Sequence, residues 1–150
     1  MDNKVTAKAF IQVQKSAEEV FEAIVNPEQM KHYFACGSAM LVAGETVEWW
    51  FPEFPDHFPV KAGVIEPHRY ISFDWSGGER DMLVEIRLDA QPDGSTVLHV
   101  EEHQMEFSLE GVQTALRQTG GWANFLACLK AYLEYGIELR RGAFEFLKAE

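Results

Sequence analysis

Alternating and helical patterns of apolar residues divide the first third of the chain into a strand and two short helices. Apolar residues occupy every second position over 5–14, which predicts a half-buried strand. Ser16 and Glu19 have the spacing of a capping box at the start of a helix, and Pro27 closes that helix. A second short helix is predicted around residues 28–33.

Six further strands are predicted between Cys36 and Gln104, where short apolar stretches are separated by turn residues. Connections this short favour antiparallel neighbours over crossovers. The alternation is clearest around Phe73 and Val84, where each stretch forms a wide apolar row on one face. The predicted strands cover residues 36–42, 45–51, 59–66, 70–75, 81–89 and 96–104.

The bulkiest helical pattern lies between Gly120 and Gly136. Large apolar side chains recur there at three- and four-residue steps, as one face of a helix requires. We predict a helix from about Leu109 to Gly136, with the paired Gly120 and Gly121 inside it and leaving room beside it. The tail 137–150 is expected to add a helical turn or two.

These elements predict a single α+β domain over residues 1–150, with two short helices after the first strand. One curved antiparallel sheet of six to seven strands grips the long C-terminal helix. A strongly curved sheet cannot touch a straight helix along its full width, so an apolar ligand cavity is expected between them. The candidate cavity residues are Trp49, Phe51, Phe73, Trp75, Val84, Ile86, Gly121, Trp122, Phe125, Leu129 and Tyr132.

The formal net charge of −11 argues against two classes of partner. Nucleic acid needs a basic stripe, and an anionic membrane surface also attracts basic proteins, so neither partner is expected. The N-terminus does not have the pattern of a signal peptide, and no apolar run approaches the roughly 20 residues of a membrane-spanning helix. Cys36 and Cys128 lack CxxC spacing, which predicts a reduced, cytoplasmic protein.

A metal site is one interpretation of His99, Glu101 and His103, which alternate along one predicted strand. Two histidines and a carboxylate on one face are chemically able to hold zinc. Leu98 and Val100 occupy the opposite phase and are better candidates for the inner face. The three polar residues are therefore expected to lie outside as solvated side chains, and neither a metal nor a cofactor is expected.

Isolated acids and bases do not form a recognisable catalytic motif. The sequence contains no nucleophile elbow, phosphate-binding glycine loop or dinucleotide fingerprint. A general base has to lie within hydrogen-bond distance of the proton that it removes, and the spacing of residues in the sequence does not give that distance. The residues considered as acid, base or anchor are Glu48, His57, His68, Asp74 and Tyr132.

Residues 49–59 contain five aromatic side chains and three prolines in eleven positions. Proline restricts the backbone, so this connection loses less conformational entropy on ordering than most. Three interpretations stay open. The segment forms a lid over the cavity mouth, a contact patch for a second copy or another protein, or a local closure of the core.

A family resemblance rests on five short motifs in a fixed order over about residues 8–135. The motifs are Ser16–Phe21 followed by Asn26–Pro27, Phe73–Trp75, Gly94–Thr96, Gly121–Trp122 and Leu129–Leu133. With them the chain resembles the START-like, or birch-pollen-allergen-like (SRPBCC), superfamily and, within it, the heat-shock-protein-90 ATPase activator homologues. The resemblance implies a helix-grip domain with a cavity and usually without a metal or cofactor. It does not imply that the protein activates a chaperone.

Three functional hypotheses follow from the sequence. The leading one is a protein that binds a small hydrophobic molecule between sheet and helix without catalysing a reaction. The second is an enzyme of the polyketide cyclase or dehydratase type, with an acid or histidine acting in the same cavity. The third is an interaction module, either a homodimer or a complex with a protein partner, formed through residues 49–59.

Overall fold

The computed structural model describes residues 4–77 and 83–149, and the elements below lie within these ranges. A first strand is followed by two short helices, six further strands, one long helix and a final 3-10 turn. In chain order they are β1 Lys4–Val13, α1 Ala17–Val25, α2 Pro27–Met30, β2 Cys36–Gly37, β3 Thr46–Trp50, β4 His57–Glu66, β5 Tyr70–Asp74, β6 Leu83–Ala90, β7 Thr96–Glu106, α3 Leu109–Tyr135 and a 3-10 helix Glu145–Ala149.

The strands form one antiparallel sheet with the order β1-β7-β6-β5-β4-β3-β2. Neighbours in sequence are neighbours in the sheet from β2 to β7, as short connections require. β1 lies at the other edge of the sheet and pairs with β7, and α3 packs over both of these strands. The predicted helix-grip fold is confirmed.

Helix ends follow the predicted capping chemistry. The Ser16 side chain accepts a hydrogen bond from the Glu19 amide at 3.2 Å, which fixes the start of α1. Ser108 caps α3 in the same way by accepting from the Gly111 amide at 3.0 Å. Gly136 ends α3 with φ 66°, a left-handed conformation that glycine adopts without strain.

The core lies between the inner face of the sheet and one side of α3. Alternate residues of β6 and β7 point inward and are buried, as the sequence phase predicted for Leu98 and Val100. Trp122, Phe125 and Leu129 of α3 are buried against them. Each large apolar side chain buried here contributes about 1.5–3 kcal/mol relative to its exposed state.

The predicted strand 36–42 is wrong in length, because β2 contains only two residues. Ser38 exchanges hydrogen bonds with Glu48 through its amide and its hydroxyl, at 2.9 and 3.0 Å, and the pairing stops there. The chain then turns inward. Leu41 is buried, and its amide donates to the Val25 carbonyl at 3.1 Å, so this stretch covers α1 instead of extending the sheet.

Two other boundaries bear on the site. The strand predicted over 81–89 is found as β6 from Leu83, and residues 81 and 82 lie outside the described ranges. Residues 49–59 are divided between β3, a loop and the start of β4 at His57. Among the helices of the described residues, none has both the length and the apolar character needed to cross a bilayer.

Candidate functional site

A cavity of about 220 Å³ opens where α3, the end of β5 and the C-terminal tail meet. It is larger than an engineered cavity of about 150 Å³ that binds benzene. It is smaller than the range of about 300–1,000 Å³ typical of drug-sized ligands. Five aromatic rings, two amides, one glycine and one arginine line it: Phe34, Phe51, Trp75, Trp122, Phe144, Gln118, Asn124, Gly121 and Arg140.

The eleven candidate residues from the sequence are distributed over three places. Phe51, Trp75, Gly121 and Trp122 line the cavity. Tyr132 lies elsewhere, stacked between His32 and Tyr33 with ring centroids 5.3 and 5.8 Å away. The remaining six are packed in the closed core behind the cavity: Trp49, Phe73, Val84, Ile86, Phe125 and Leu129.

Tyr132 belongs to a separate aromatic stack that fastens α3 to the region after α2. Tyr33 in this stack is buried and donates its hydroxyl proton to the Ala23 carbonyl at 2.8 Å. Burial holds the pKa of Tyr33 well above its ordinary value, with a smaller contribution from Tyr132. Tyr33 is therefore a structural contact rather than a proton donor or acceptor for chemistry.

The cavity wall is fixed from behind by Glu102, a fully buried carboxylate on β7. Its Oε1 accepts from Trp122 Nε1 at 2.8 Å and from Gln118 Nε2 at 2.9 Å, and its Oε2 accepts from Trp75 Nε1 at 3.1 Å. All three partners donate, and the two carboxylate oxygens of Glu102 accept. The two indole rings stack 5.1 Å apart with an angle of 30° between their planes.

Glu102 is absent from the sequence candidates, although a signal for it exists. It lies in the same phase of β7 as Leu98 and Val100, so alternation places it on the inner face. A carboxylate at such a position needs buried donors, and a buried indole N–H needs an acceptor. Taken together, these two requirements are enough to pair Glu102 with a tryptophan.

The C-terminal tail supplies the other wall through Arg140 and Phe144. Arg140 Nη1 lies 2.9 and 3.0 Å from the two carboxylate oxygens of Glu53, and their side chains are only 13 % and 5 % exposed. The guanidinium also lies over the rings of Phe51 and Phe144, at 5.1 and 4.9 Å from the centroids. This ion pair connects the tail to the loop after β3.

Within residues 49–59, the aromatic side chains other than Phe54 are buried or half-buried against the rest of the chain. Trp49 is buried in the core, and Trp50 stacks on His57 with centroids 4.2 Å apart. Phe51 forms cavity wall, while Phe54 is 42 % exposed. The packing favours local closure of the core, and a partner contact through this segment stays a prediction.

The outer face of the sheet carries a network of ionisable side chains around His103. Its Nε2 lies 2.6 Å from Glu85 Oε1 and 3.4 Å from Glu101 Oε2. Arg87 lies 3.4 Å from Glu85 and 3.7 Å from Glu101, so the cluster contains its own cation. Desolvation raises the pKa of Glu85, but hydrogen bonds from Tyr70 and His103 bring it below its ordinary value.

The three residues considered for zinc are therefore not equivalent. Glu101 and His103 are partly buried in this network, which corrects the expectation that they are simply solvated. His99 lies apart from them, with its Nε2 3.6 Å from Asp89 Oδ2. Ligand atoms of Glu85, Glu101 and His103 lie within 4.8 Å of one another, and Arg87 already pairs with both carboxylates.

None of the five acid, base or anchor candidates is among the residues that line the cavity. Glu48 and His57 form an exposed pair on neighbouring strands, 3.3 Å apart. Asp74 accepts from the amide and hydroxyl of Ser76 at 2.8 and 2.7 Å in a turn. Asp74 therefore stabilises a turn, and the exposed Glu48–His57 pair lies outside the cavity.

A curved sheet gripping one long helix, with a cavity at the open end, defines a helix-grip protein of the START-like class. A family model described as activator of Hsp90 ATPase homolog 1-like protein matches residues 14–134. The chain belongs to this family, as the resemblance predicted. A search of the curated proteins found no match to the sequence.

Solved structures agree with the family. Protein SSP2350 from Staphylococcus saprophyticus is 28% identical, with a TM-score of 0.79 over 91% of this chain and 96% of that one. DynU16, a putative protein in the dynemicin biosynthetic locus, is 24% identical, with a TM-score of 0.77 over 91% and 49% of the two chains. The Aha1 dimer from Colwellia psychrerythraea is 18% identical, with a TM-score of 0.75 over 88% and 98%. The last two likenesses establish the fold alone.

Proposed function

We propose that the protein binds a small, flat hydrophobic molecule in the aromatic cavity and holds it without chemical change. The observation that carries this proposal is the set of five rings around an open space of about 220 Å³. Its size lies between benzene-sized and drug-sized sites, which suits one or two fused rings. Membership of a START-like family is compatible with a ligand-binding domain.

The shape of the cavity favours a flat ligand because its walls are ring faces and edges. Trp75 and Trp122 are stacked with 30° between their planes, and Phe34 lies tilted 5.9 Å from Trp122. Aromatic pairs gain about 0.5–1.5 kcal/mol beyond the burial of area. The hydrogen bonds to Glu102 hold both indoles before a ligand arrives, which reduces the ordering cost of binding.

Simple binding is favoured over catalysis by the titratable groups at the cavity. Among the described residues that line it, Arg140 is the one charged side chain. A guanidinium does not lose its proton in proteins, so it is unsuited to act as a general base. Glu102 lies behind the wall with both oxygens engaged by N–H donors. A cyclase mechanism therefore lacks an available acid or base among these residues.

The proposal predicts that bulk at Gly121 blocks binding while the same bulk at Gly120 does not. Both glycines lie within α3, and a Cβ built on either meets no atom within 4 Å. Of the two, Gly121 lines the cavity. Gly121→Leu is expected to weaken the binding of 2-naphthamide at least tenfold by calorimetric titration, and Gly120→Leu is expected to leave it unchanged.

A thermal shift provides the independent check. A ligand that binds only the folded state stabilises it by about 2.7 kcal/mol at one hundred times the dissociation constant. Wild type and Gly120→Leu should gain melting temperature with 2-naphthamide, and Gly121→Leu should not. Absence of binding in the wild type, or equal loss in the two variants, contradicts the proposal.

A further inference from the structure

We propose that the cavity selects an aromatic acid over its neutral and cationic counterparts, with Arg140 binding the carboxylate. This inference rests on the proposed function and names the chemical class of ligand for the same site. Arg140 is the charged residue of the cavity wall, and it lies at the end formed by the tail. The rings hold the flat part of the ligand, and Arg140 fixes its orientation.

The guanidinium of Arg140 has N–H donors that Glu53 does not use and that are free to bind a carboxylate. A guanidinium carries five N–H groups. Nη1 donates to Glu53 Oε2 at 3.0 Å and lies 2.9 Å from Oε1, which has no hydrogen-bond partner, and within the described residues no other acceptor is hydrogen-bonded to Arg140. Nε and Nη2 therefore have no acceptor within the described residues, and Arg140 lines both this cavity and a neighbouring pocket beside Tyr33 and Glu138. Arginine binds carboxylates through two parallel N–H donors, and such charge-assisted bonds are stronger than neutral ones.

A cationic ligand is disfavoured although aromatic cages often hold cations. The faces of Phe51 and Phe144 are already covered by the guanidinium, at 5.1 and 4.9 Å from their centroids. A second cation at this end would meet Arg140 on the cavity wall, whereas Glu53, the carboxylate paired with it, is not among the lining residues. Glu102, the carboxylate behind the wall, is a poor partner for a cationic ligand, because its oxygens already accept hydrogen bonds from three N–H donors.

The remaining polar wall residues are placed to support an acceptor-rich ligand. Asn124 lines the same cavity and brings an amide group with two N–H donors. Gln118 gives one of its donors to Glu102 at 2.9 Å and keeps a second. The cavity thus combines aromatic walls with several N–H donors, which suits a carboxylate on a flat ring.

The test is calorimetric titration of the full chain with three matched ligands: 2-naphthoate, 2-naphthamide and 2-naphthylmethylamine. We expect the wild type to bind naphthoate roughly tenfold more tightly than naphthamide, since hydrogen bonds to charged groups exceed neutral ones. The amine should bind most weakly. In the double variant Glu53→Gln with Arg140→Gln, the ratio of naphthoate to naphthamide affinity should fall to about one.

The double variant is used because it removes the buried pair without leaving Glu53 unpaired. The ratio of the two affinities within this variant is the readout, because Arg140 also forms part of the wall and any change of cavity shape affects both ligands. Arg140→Lys keeps the charge but loses the planar fork, and it should keep only part of the preference for naphthoate. It provides the test even if the double variant is poorly folded.

The outcomes separate the inference from the proposed function. The inference is overturned if wild type binds naphthamide or the amine as tightly as naphthoate, or if the preference survives in the double variant. In both cases, binding of naphthamide to the wild type would still support the proposed function. If none of the three ligands binds wild type, the proposed function fails and the inference fails with it.

Discussion

Replacing Glu102 by alanine is expected to lower the free energy of unfolding by about 4 kcal/mol. The substitution removes the acceptor of three N–H groups, on Trp75, Trp122 and Gln118, in a place where the side chain is fully buried. Each buried donor left without an acceptor costs about 1–3 kcal/mol. Urea unfolding followed by tryptophan fluorescence measures the loss directly.

Glutamine at the same position isolates the role of Glu102 in placing the rings. In Glu102→Gln the side chain keeps one acceptor oxygen but turns an N–H₂ group towards an indole donor. We expect a smaller loss of stability, about 2 kcal/mol, together with weaker naphthamide binding, because the two indoles are no longer held in place. Glu106→Gln is the matched control, since Glu106 is exposed on the same strand. Equal stability and equal affinity for both variants would contradict this role.

The second large effect is expected at Gly111, in the first turn of α3. A Cβ there would overlap the carbonyl oxygen of Glu106 and would lie 2.7 Å from its carbonyl carbon and 3.0 Å from its amide nitrogen. These are backbone atoms at the end of β7, so they cannot turn aside as a side chain can. Gly111→Ala is expected to destabilise the protein by about 3 kcal/mol, as overpacking does in a closed contact.

Gly120→Ala adds the same methyl group but is expected to have the opposite effect on stability. Gly120 lies in mid-helix with open space around its Cβ position, so alanine should stabilise the chain by up to about 1 kcal/mol. For a domain of this size, 1 kcal/mol corresponds to roughly 2–4 °C in melting temperature. Thermal unfolding should therefore move in opposite directions for the two variants. Similar shifts would show that the contact at Gly111 relaxes without cost.

The fold was predictable because local apolar patterns and short connections allow only a few arrangements of the strands and helices. Alternation in β6 and β7 and the capping signals at Ser16 and Gly136 were sufficient for element type and order. The stretch 36–42 misled the prediction, because it has strand-like residues but leaves the sheet to cover α1. Hydrogen bonds from Ser38 and Leu41 decide that, and they depend on tertiary contacts.

The candidate site was predictable only in its aromatic part. Trp75, Trp122 and Phe51 stand out by size, and the fold brings them together. The pair of Glu53 and Arg140 joins positions 87 residues apart, and no periodicity links such positions. Glu102 was missed for a different reason. The inner face of β7 was assigned from its apolar residues, and a carboxylate is not expected among them. It becomes acceptable there only when buried N–H donors are available to it.

The family match ends at residue 134, whereas Arg140 and Phe144 lie beyond it. The rings of Trp75 and Trp122 and the polar end of the cavity are thus encoded in different parts of the chain. Under the proposed function, the tail and the family segment each supply one part of the ligand contact. Arg140 also forms a buried pair with Glu53, which lies inside the matched segment, so a substitution at Arg140 is expected to require a compensating change at Glu53.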